Sequence, residues 1–466
     1  MTFQTLNPAT GAPLRTYPRQ DDHIVSANIE RALVAQTGWR QTPHAVRRGP
    51  LANAGRLLRE RADDYARLIT EEMGKPLAQS RAEILKCASV CDYYAENAER
   101  QLAPRPVAID AGSAYVDFQP LGVILGVMPW NFPFWQVFRF AAPTLAAGNA
   151  ILLKHAANVT GCAVEIAKLF TDAQFPDGLF QSLLIDHRQA EAALRDPRVR
   201  GVSLTGSVAA GRHIGRIAGE ELKKVVLELG GSDAYLVLED ADVPQAAEVC
   251  AAARLVNAGQ SCVAAKRFIV VEAVREAFES ALIEVLKAKK LGDPMDDGTD
   301  VGPMARADLR DELHRQVQKS IELGARCMLG GQVPEGPGAY YPVTLLTGVK
   351  PGMPAWEEEL FGPVAATLIA EDETHALAIA NQSRFGLGGA VFSRDLERAR
   401  RVAAEMDCGM VAINRQLESD PRLPFGGVKE SGVGREVGEF GIMEFVNIKT
   451  VTLSAAGGTT RTARSE

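Results

Sequence analysis

Leu121-Gly-Val-Ile-Leu-Gly-Val-Met-Pro-Trp-Asn-Phe-Pro133 is where this chain changes rhythm. The run Gly122–Val127 predicts a buried strand, stopped by Pro129 and Pro133, neither of which can donate to a sheet ladder. A helix is expected over Phe134–Ala147, a strand over Ala150–Lys154 and a helix over Gly161–Ala173. The turn Phe175-Pro-Asp-Gly178 then leads to a strand over Leu179–Ile185 and a short helix. Val199–Leu204 (strand), a helix from Ser207 and Lys224–Glu228 (strand) close the series. Strands alternating with helices across short connections predict a parallel sheet with crossover helices, which binds ligands at the carboxyl ends of its strands.

Working outward, a second alternating series begins after Gly230-Gly231. It runs through Ala234–Leu238, Ala246–Val256, Phe268–Val271 and Val274–Lys289, then resumes from Gly362–Ile369 to Gly409–Asn414. The fold class expected is therefore α/β, with two alternating units and the glycine pair as hinge. Upstream, residues 1–20 read as extended and turn-rich, and Asp22 to about Arg100 as helical, with apolar residues three and four apart. Segment 103–119 alternates but carries prolines, which suits an edge strand or protruding hairpin. Thr450–Leu453 reads as a strand that pairs elsewhere, across a subunit interface, and residues 455–466 as a loose tail.

A chain of 466 residues is expected to form about two or three domains. Its net charge of −7 comes from interspersed acids and bases, so neither a nucleic-acid footprint nor a polybasic membrane patch is expected. The longest apolar stretch, around Leu121–Met128, is too short to span a bilayer, and the first residues lack the apolar region of a secretory signal. The seven cysteines are scattered without a CxxC, and no histidine pairs with one at ligand spacing. That pattern suits a reducing cytoplasm and predicts neither a disulfide framework nor a metal site.

Several short stretches could carry chemistry, and each also has a plain reading. Asn257-Ala-Gly-Gln-Ser-Cys262 delivers a cysteine on a polar turn just before the strand-like Arg267–Val271. It is either a thiolate placed to meet a ligand or a half-buried loop cysteine. Leu204-Thr-Gly-Ser207, with Gly211, makes a strand-to-helix turn whose free amides favour a phosphate; it is equally a capped, closely packed helix. Glu228 ends an apolar strand, where a carboxylate is either paired or kept for proton transfer with a raised pKa. Asn131 could donate its amide to an oxyanion or be a turn residue between prolines. Lys154, ending a strand, is either a cofactor ligand or a solvated surface lysine. Glu357-Glu-Glu-Leu-Phe-Gly-Pro363 could serve a cofactor or be an acidic loop with a packing phenylalanine. Together the parts describe thiolate attack on an aldehyde, oxyanion stabilisation, hydride loss to a nicotinamide and carboxylate-assisted hydrolysis of a thioester.

These stretches, with Pro424-Phe-Gly-Gly-Val-Lys-Glu-Ser-Gly432, resemble the aldehyde dehydrogenase superfamily from Asn7 to about Thr452. Met128–Val137 and Leu152-Leu-Lys-His-Ala156 most resemble the bacterial succinate-semialdehyde dehydrogenases of the Sad type. The resemblance implies Cys262 as nucleophile, Glu228 as hydrolytic base, and an oxyanion hole of Asn131 and the Cys262 N–H. It implies NAD or NADP as cofactor, with Lys154 and Glu359 on ribose hydroxyls. Ser207 would hold the pyrophosphate, Trp130 and Phe361 would lie on the nicotinamide side, and Thr205, Gly206 and Leu229 would also bind the cofactor. A small aldehyde would meet Arg139, Trp135, Ser261 and Ser419. It further implies a Rossmann-type cofactor domain (1–101 and 120–229), a catalytic domain (230–445) and a small β oligomerisation domain (102–119 and 446–454), in a homodimer or homotetramer.

Departures from the family pattern limit what carries over. Ala157 stands where NAD-preferring relatives have glutamate, which leaves NAD against NADP open. Arg139 matches the first carboxylate-binding arginine of well-known succinate-semialdehyde enzymes, but Val256 replaces the second; Arg254, Arg415, Ser419 or Arg422 are the candidates for the missing contact. Ala264 excludes a regulatory disulfide next to Cys262. The readings that compete are a dehydrogenase for another aliphatic or ω-carboxylate semialdehyde, a CoA-acylating relative disfavoured by Glu228, a non-catalytic relative of the fold, and a cysteine hydrolase lacking an evident histidine partner.

Overall fold

The computed structural model of the chain describes residues 2–110 and 112–454; the tail expected over 455–466 lies outside them. The run beginning at Val123 forms the strand Val123–Met128, between Ala150–His155 and Val199–Thr205 in a six-stranded sheet. Phe180–Ser182 and Lys224–Glu228 add in parallel, and Gly432–Val433 returns from late in the chain to pair antiparallel with Lys224–Glu228. Every residue of Ala150–His155 is buried, as expected of a strand covered on both faces by crossover helices.

The second series builds a seven-stranded sheet around the parallel strands Asp233–Val237, Ala265–Val271 and Val364–Ala370. Side chains alternate between its faces. Tyr235, Val237, Phe268 and Val270 enter one core, whereas Leu236, Leu238, Ile269 and Val271 enter the other. Sequence reading passed over helix Ala307–Glu322 and strands Arg326–Leu329 and Thr344–Thr347. That helix buries only Leu313, Val317 and Ser320, a stripe too narrow to stand out among its charges.

The helical region near the N-terminus breaks into Asp22–Trp39, His44–Glu60, Ala62–Met73 and Leu77–Gln101. Gly74, at φ 79°, ends the third in a left-handed cap, and Pro76 precedes the fourth. The extended, turn-rich start folds as a hairpin, Thr2–Leu6 against Pro13–Pro18. The proline-bearing segment gives Arg105–Val107 and Ser113–Pro120, and the late strand is longer than its apolar residues suggested. Val446–Leu453 pairs antiparallel with Ser113–Pro120 of its own chain, from Val446 opposite Pro120 to Leu453 opposite Ser113. Among the described residues no helix is long and apolar enough to cross a membrane.

Candidate active site

The turn that carries Cys262 has an unusual backbone. Asn257, Ala258 and Gly259 all take positive φ (54°, 52° and 74°), a conformation that disfavours side chains with a Cβ. Its neighbours hold it there. Gln79 Oε1 accepts from the Asn257 N–H at 2.8 Å, Arg254 Nη2 donates to Gly259 O at 2.6 Å, and Ala305 N–H donates to Gln260 Oε1 at 2.9 Å. A Cβ on Gly259 would lie 2.1 Å from Gly362 O, so only glycine fits. Lys266, buried behind the turn, donates to Ser261 O and Cys262 O at 2.9 and 2.8 Å.

Asn131 reaches this turn from the end of strand Val123–Met128. Its Nδ2 donates to Gln260 O at 3.1 Å, and its backbone carbonyl accepts from Asn257 Nδ2 at 2.6 Å. One amide hydrogen of Asn131 remains available, and the Cys262 N–H has no acceptor among the described residues. Both N–H donors therefore lie on or against the turn that carries Cys262, as an oxyanion role would require.

The loop bearing Asn131 is fixed from below. Lys75 and Glu83 form an ion pair with both side chains essentially sealed from solvent. Glu83 Oε1 accepts from the Phe134 and Trp135 N–H groups at 2.8 and 2.9 Å, at the start of helix Trp135–Ala146. Lys75 Nζ stands 3.8 Å above the Phe132 ring. On the other side His155 Nε2 meets Pro133 O at 2.8 Å, while the Ala156 N–H donates to Nδ1. Burial pushes the His155 pKa down to about 4, so the ring is neutral.

Glu228 is buried at the end of its strand, and neither carboxylate oxygen has a hydrogen-bond partner among the described residues. Burial pushes its carboxyl well above the usual carboxylate range, against the opposing pull of Arg139. The space it occupies exists because residue 426 is glycine, where a Cβ would lie 2.7 Å from Glu228 Oε1. Cys262 is half-buried, and burial raises its thiol to about 12, with Arg139 and Lys266 pulling the other way. At neutral pH this burial favours the thiol over the thiolate.

Cys262 opens into a cavity of about 320 Å³. Of the substrate contacts expected from sequence, Trp135, Arg139, Ser261 and Ser419 all line it, and so does Val256. Arg139, however, is not a free cation. It forms a buried ion pair with Glu436, its guanidinium lies 4.2 Å over the Phe425 ring, and Nη2 approaches Thr205 Oγ1 at 3.5 Å. Arg254 clamps the Cys262 turn and Arg422 pairs with Asp420, and neither lines the cavity, nor does Arg415. Ser419 is the one candidate for the missing contact that does.

The expected cofactor residues gather at the carboxyl ends of the first sheet. Lys154 is 7% exposed and its ammonium has neither hydrogen bond nor ion pair among the described residues, which removes the reading of a solvated surface lysine. Burial lowers its pKa. With Ala157 it lines a cavity of about 700 Å³. Ser207 caps helix Val208–Glu220, its Oγ accepting from the Ala210 N–H at 3.2 Å, and Leu229 packs where a Cβ on Gly211 would clash at 2.5 Å. Thr205 is buried just ahead, and the Gly206 N–H donates to Glu228 O at 2.9 Å. Trp130 and Phe361 meet edge to face at 5.8 Å between centroids. Glu359 Oε1 accepts from the Gly231 N–H at 3.1 Å and lies 3.3 Å from Lys266 Nζ.

Sequence reasoning missed Gln79, Glu83, Lys86, Lys266 and Glu436, each of which touches this centre. No local signal marks them: Gln79, Glu83 and Lys86 lie along one helix, Glu436 sits in a glycine-bounded stretch, and Lys266 hides beside Arg267 at the head of a strand.

The comparisons with known proteins agree in kind. The model of the aldehyde dehydrogenase family matches residues 1–451. The chain is 48% identical over 447 residues to the succinate semialdehyde dehydrogenase [NAD(P)+] Sad of Escherichia coli, covering 96% of this chain and 97% of that one. It is 47% identical over 454 residues to a probable succinate-semialdehyde dehydrogenase [NADP(+)] of Synechocystis sp., covering 97% and 100%. Among solved structures it resembles the succinic semialdehyde dehydrogenase of Streptococcus pyogenes in complex with NADP+, with a TM-score of 0.95 at 38% identity over 97% of this chain and 100% of that one.

Proposed function

The chain belongs to the aldehyde dehydrogenase family and is an NAD(P)-dependent oxidoreductase, and from that premise we propose that it oxidises succinate semialdehyde to succinate. The observation that carries the substrate is the cavity beside Cys262, whose largely apolar wall holds the cations Arg139 and Lys86. The three similar proteins named above support the same reading.

In this reading the Cys262 thiolate adds to the aldehyde carbonyl, and Arg139 and Lys266 are the charges that favour the thiolate. Asn131 Nδ2 and the Cys262 N–H hold the oxyanion. The residues for a dinucleotide fit. Lys154 offers an unpaired buried ammonium, Ser207 a capped helix start, and Trp130 with Phe361 an aromatic edge. Lys154 and Glu359 would hold ribose hydroxyls and Ser207 the phosphates, with Thr205, Gly206 and Leu229 also in the cofactor cleft. A bound NAD or NADP supplies the hydride acceptor. Glu228, once ionised, takes a proton from the water that attacks the thioester; the acid departs and Cys262 is regenerated.

We assign residues 1–101 and 120–229 to cofactor binding, 230–445 to catalysis, and 102–119 with 446–454 to assembly as a homodimer or homotetramer. The exposed Ile448 and Leu453 on the outer strand Val446–Leu453 support the last assignment. The function is tested by comparing kcat/KM for succinate semialdehyde and butanal with each cofactor. A marked preference for the semialdehyde is expected, and equal efficiencies would refute the substrate.

A further inference from the structure

The cavity beside Cys262 has two cations, and their surroundings differ. Arg139 is committed to Glu436, to the Phe425 face and to Thr205. Lys86, on helix Leu77–Gln101, has no hydrogen bond or ion pair on its Nζ among the described residues. That ammonium stands 4.6 Å over the ring of Trp135, itself a wall of the cavity. Glu83, the nearby acid on the same helix, is already paired with Lys75. Glu418, across the cavity, acts on Lys86 through space and accepts from Gln416 Nε2, without reaching ion-pair distance of the lysine.

Two further groups in the same wall lack partners. Ser419 Oγ is buried without a hydrogen bond, and so is Oε1 of Gln136, a residue 1% exposed. Orphaned buried polar atoms are uncommon in folded proteins, and of these two only the Ser419 hydroxyl can donate to an anion; with the unpaired Lys86 ammonium in the same wall it makes a site that suits one.

We propose that Lys86, assisted by the Ser419 hydroxyl, binds the distal carboxylate of the substrate, while Arg139 acts chiefly inside the protein as the partner of Glu436. This rests on the reading of the substrate as an ω-carboxylate aldehyde. It identifies the specificity contact that Val256 leaves open, and places it on a helix far in sequence from the catalytic turn.

The test measures kcat and KM for malonate, succinate and glutarate semialdehydes and for butanal in wild type, Lys86→Gln, Lys86→Arg and Ser419→Ala. Lys86→Gln is expected to lower the ratio of carboxylate-aldehyde to butanal efficiency by about 10–100-fold, mainly through KM, because a charge-assisted hydrogen bond is lost. Lys86→Arg should restore much of that ratio, and Ser419→Ala should lower it by about 3–10-fold. A merely structural lysine would change both substrate types together, and that outcome overturns the assignment. A carboxylate preference that survives in Lys86→Gln also overturns it, while leaving the proposed substrate standing. A preference for another chain length that collapses in Lys86→Gln upholds Lys86 and refutes succinate semialdehyde. No carboxylate preference in wild type removes both.

Discussion

Two buried carboxylates flank the centre and live in opposite circumstances. Glu83 has a lysine and two backbone N–H groups, one set of donors for each oxygen. Glu228 has no hydrogen bond on either oxygen, although it is as deeply buried. Taking an ion out of water is unfavourable by several kcal/mol unless partners replace the lost solvent. Glu83 has that replacement and so serves the architecture, holding the start of helix Trp135–Ala146 and the loop that presents Asn131. Glu228 lacks it, takes up a proton readily and can change charge during a reaction. A buried acid with partners fixes shape, and one without them remains available for chemistry.

The sharpest way to break this contrast is to neutralise each acid in turn. Glu228→Gln should leave the first rapid burst of reduced cofactor intact and slow steady turnover by about 10²–10⁴-fold, as expected for a lost general base. Loss of the burst itself in rapid mixing would reassign the residue. Glu83→Gln should instead unfold more easily, by about 3–5 kcal/mol in denaturant titration, because Lys75 is left as an uncompensated buried charge. A stability equal to wild type would show that the pair is idle.

A smaller effect separates the two by pH. The Glu228 carboxyl is raised above its ordinary value of 4.5, so in the folded state it holds a proton that the unfolded chain has released. Its contribution to stability is complete below that value and declines as pH rises through the folded pKa, by at most about 1.4 kcal/mol per pH unit. Glu228→Gln should flatten that decline in denaturant titrations above pH 5, and an unchanged slope would contradict a buried protonated acid. Smaller still, alkylation of Cys262 by iodoacetamide in the cofactor-free protein should quicken steadily from pH 7 to 10, since its thiol lies near 12. A plateau near neutrality would mean a thiolate at rest.

What the sequence made legible follows from the range of the interactions involved. The parallel strands of the first sheet could be read because glycine or proline punctuates them, whereas Gly432–Val433, two antiparallel residues from late in the chain, could not. Cys262, Asn131 and Glu228 could be read as candidates because turns and strand ends announce themselves locally. The left-handed path of Asn257–Gly259 could not, since it is imposed by Gln79, Arg254 and the close approach of Gly362. Lys86 and Glu83 sit on one helix with the spacing of ordinary surface charges, and only the packing of Leu77–Gln101 against Trp135–Ala146 turns them inward. Arg139 was legible as a residue of the cavity but not as one already paired, because Glu436 lies almost three hundred residues away.

The central claim is that sulfur at position 262 carries the acyl group while Glu228 releases it. Mass spectrometry of Glu228→Gln, quenched after mixing with succinate semialdehyde and NAD or NADP, tests it most directly. The account predicts an acyl adduct on the peptide containing Cys262, and none when Cys262→Ser is added. An adduct on any other cysteine, or reduced cofactor formed at the wild-type rate by Cys262→Ser, would contradict it.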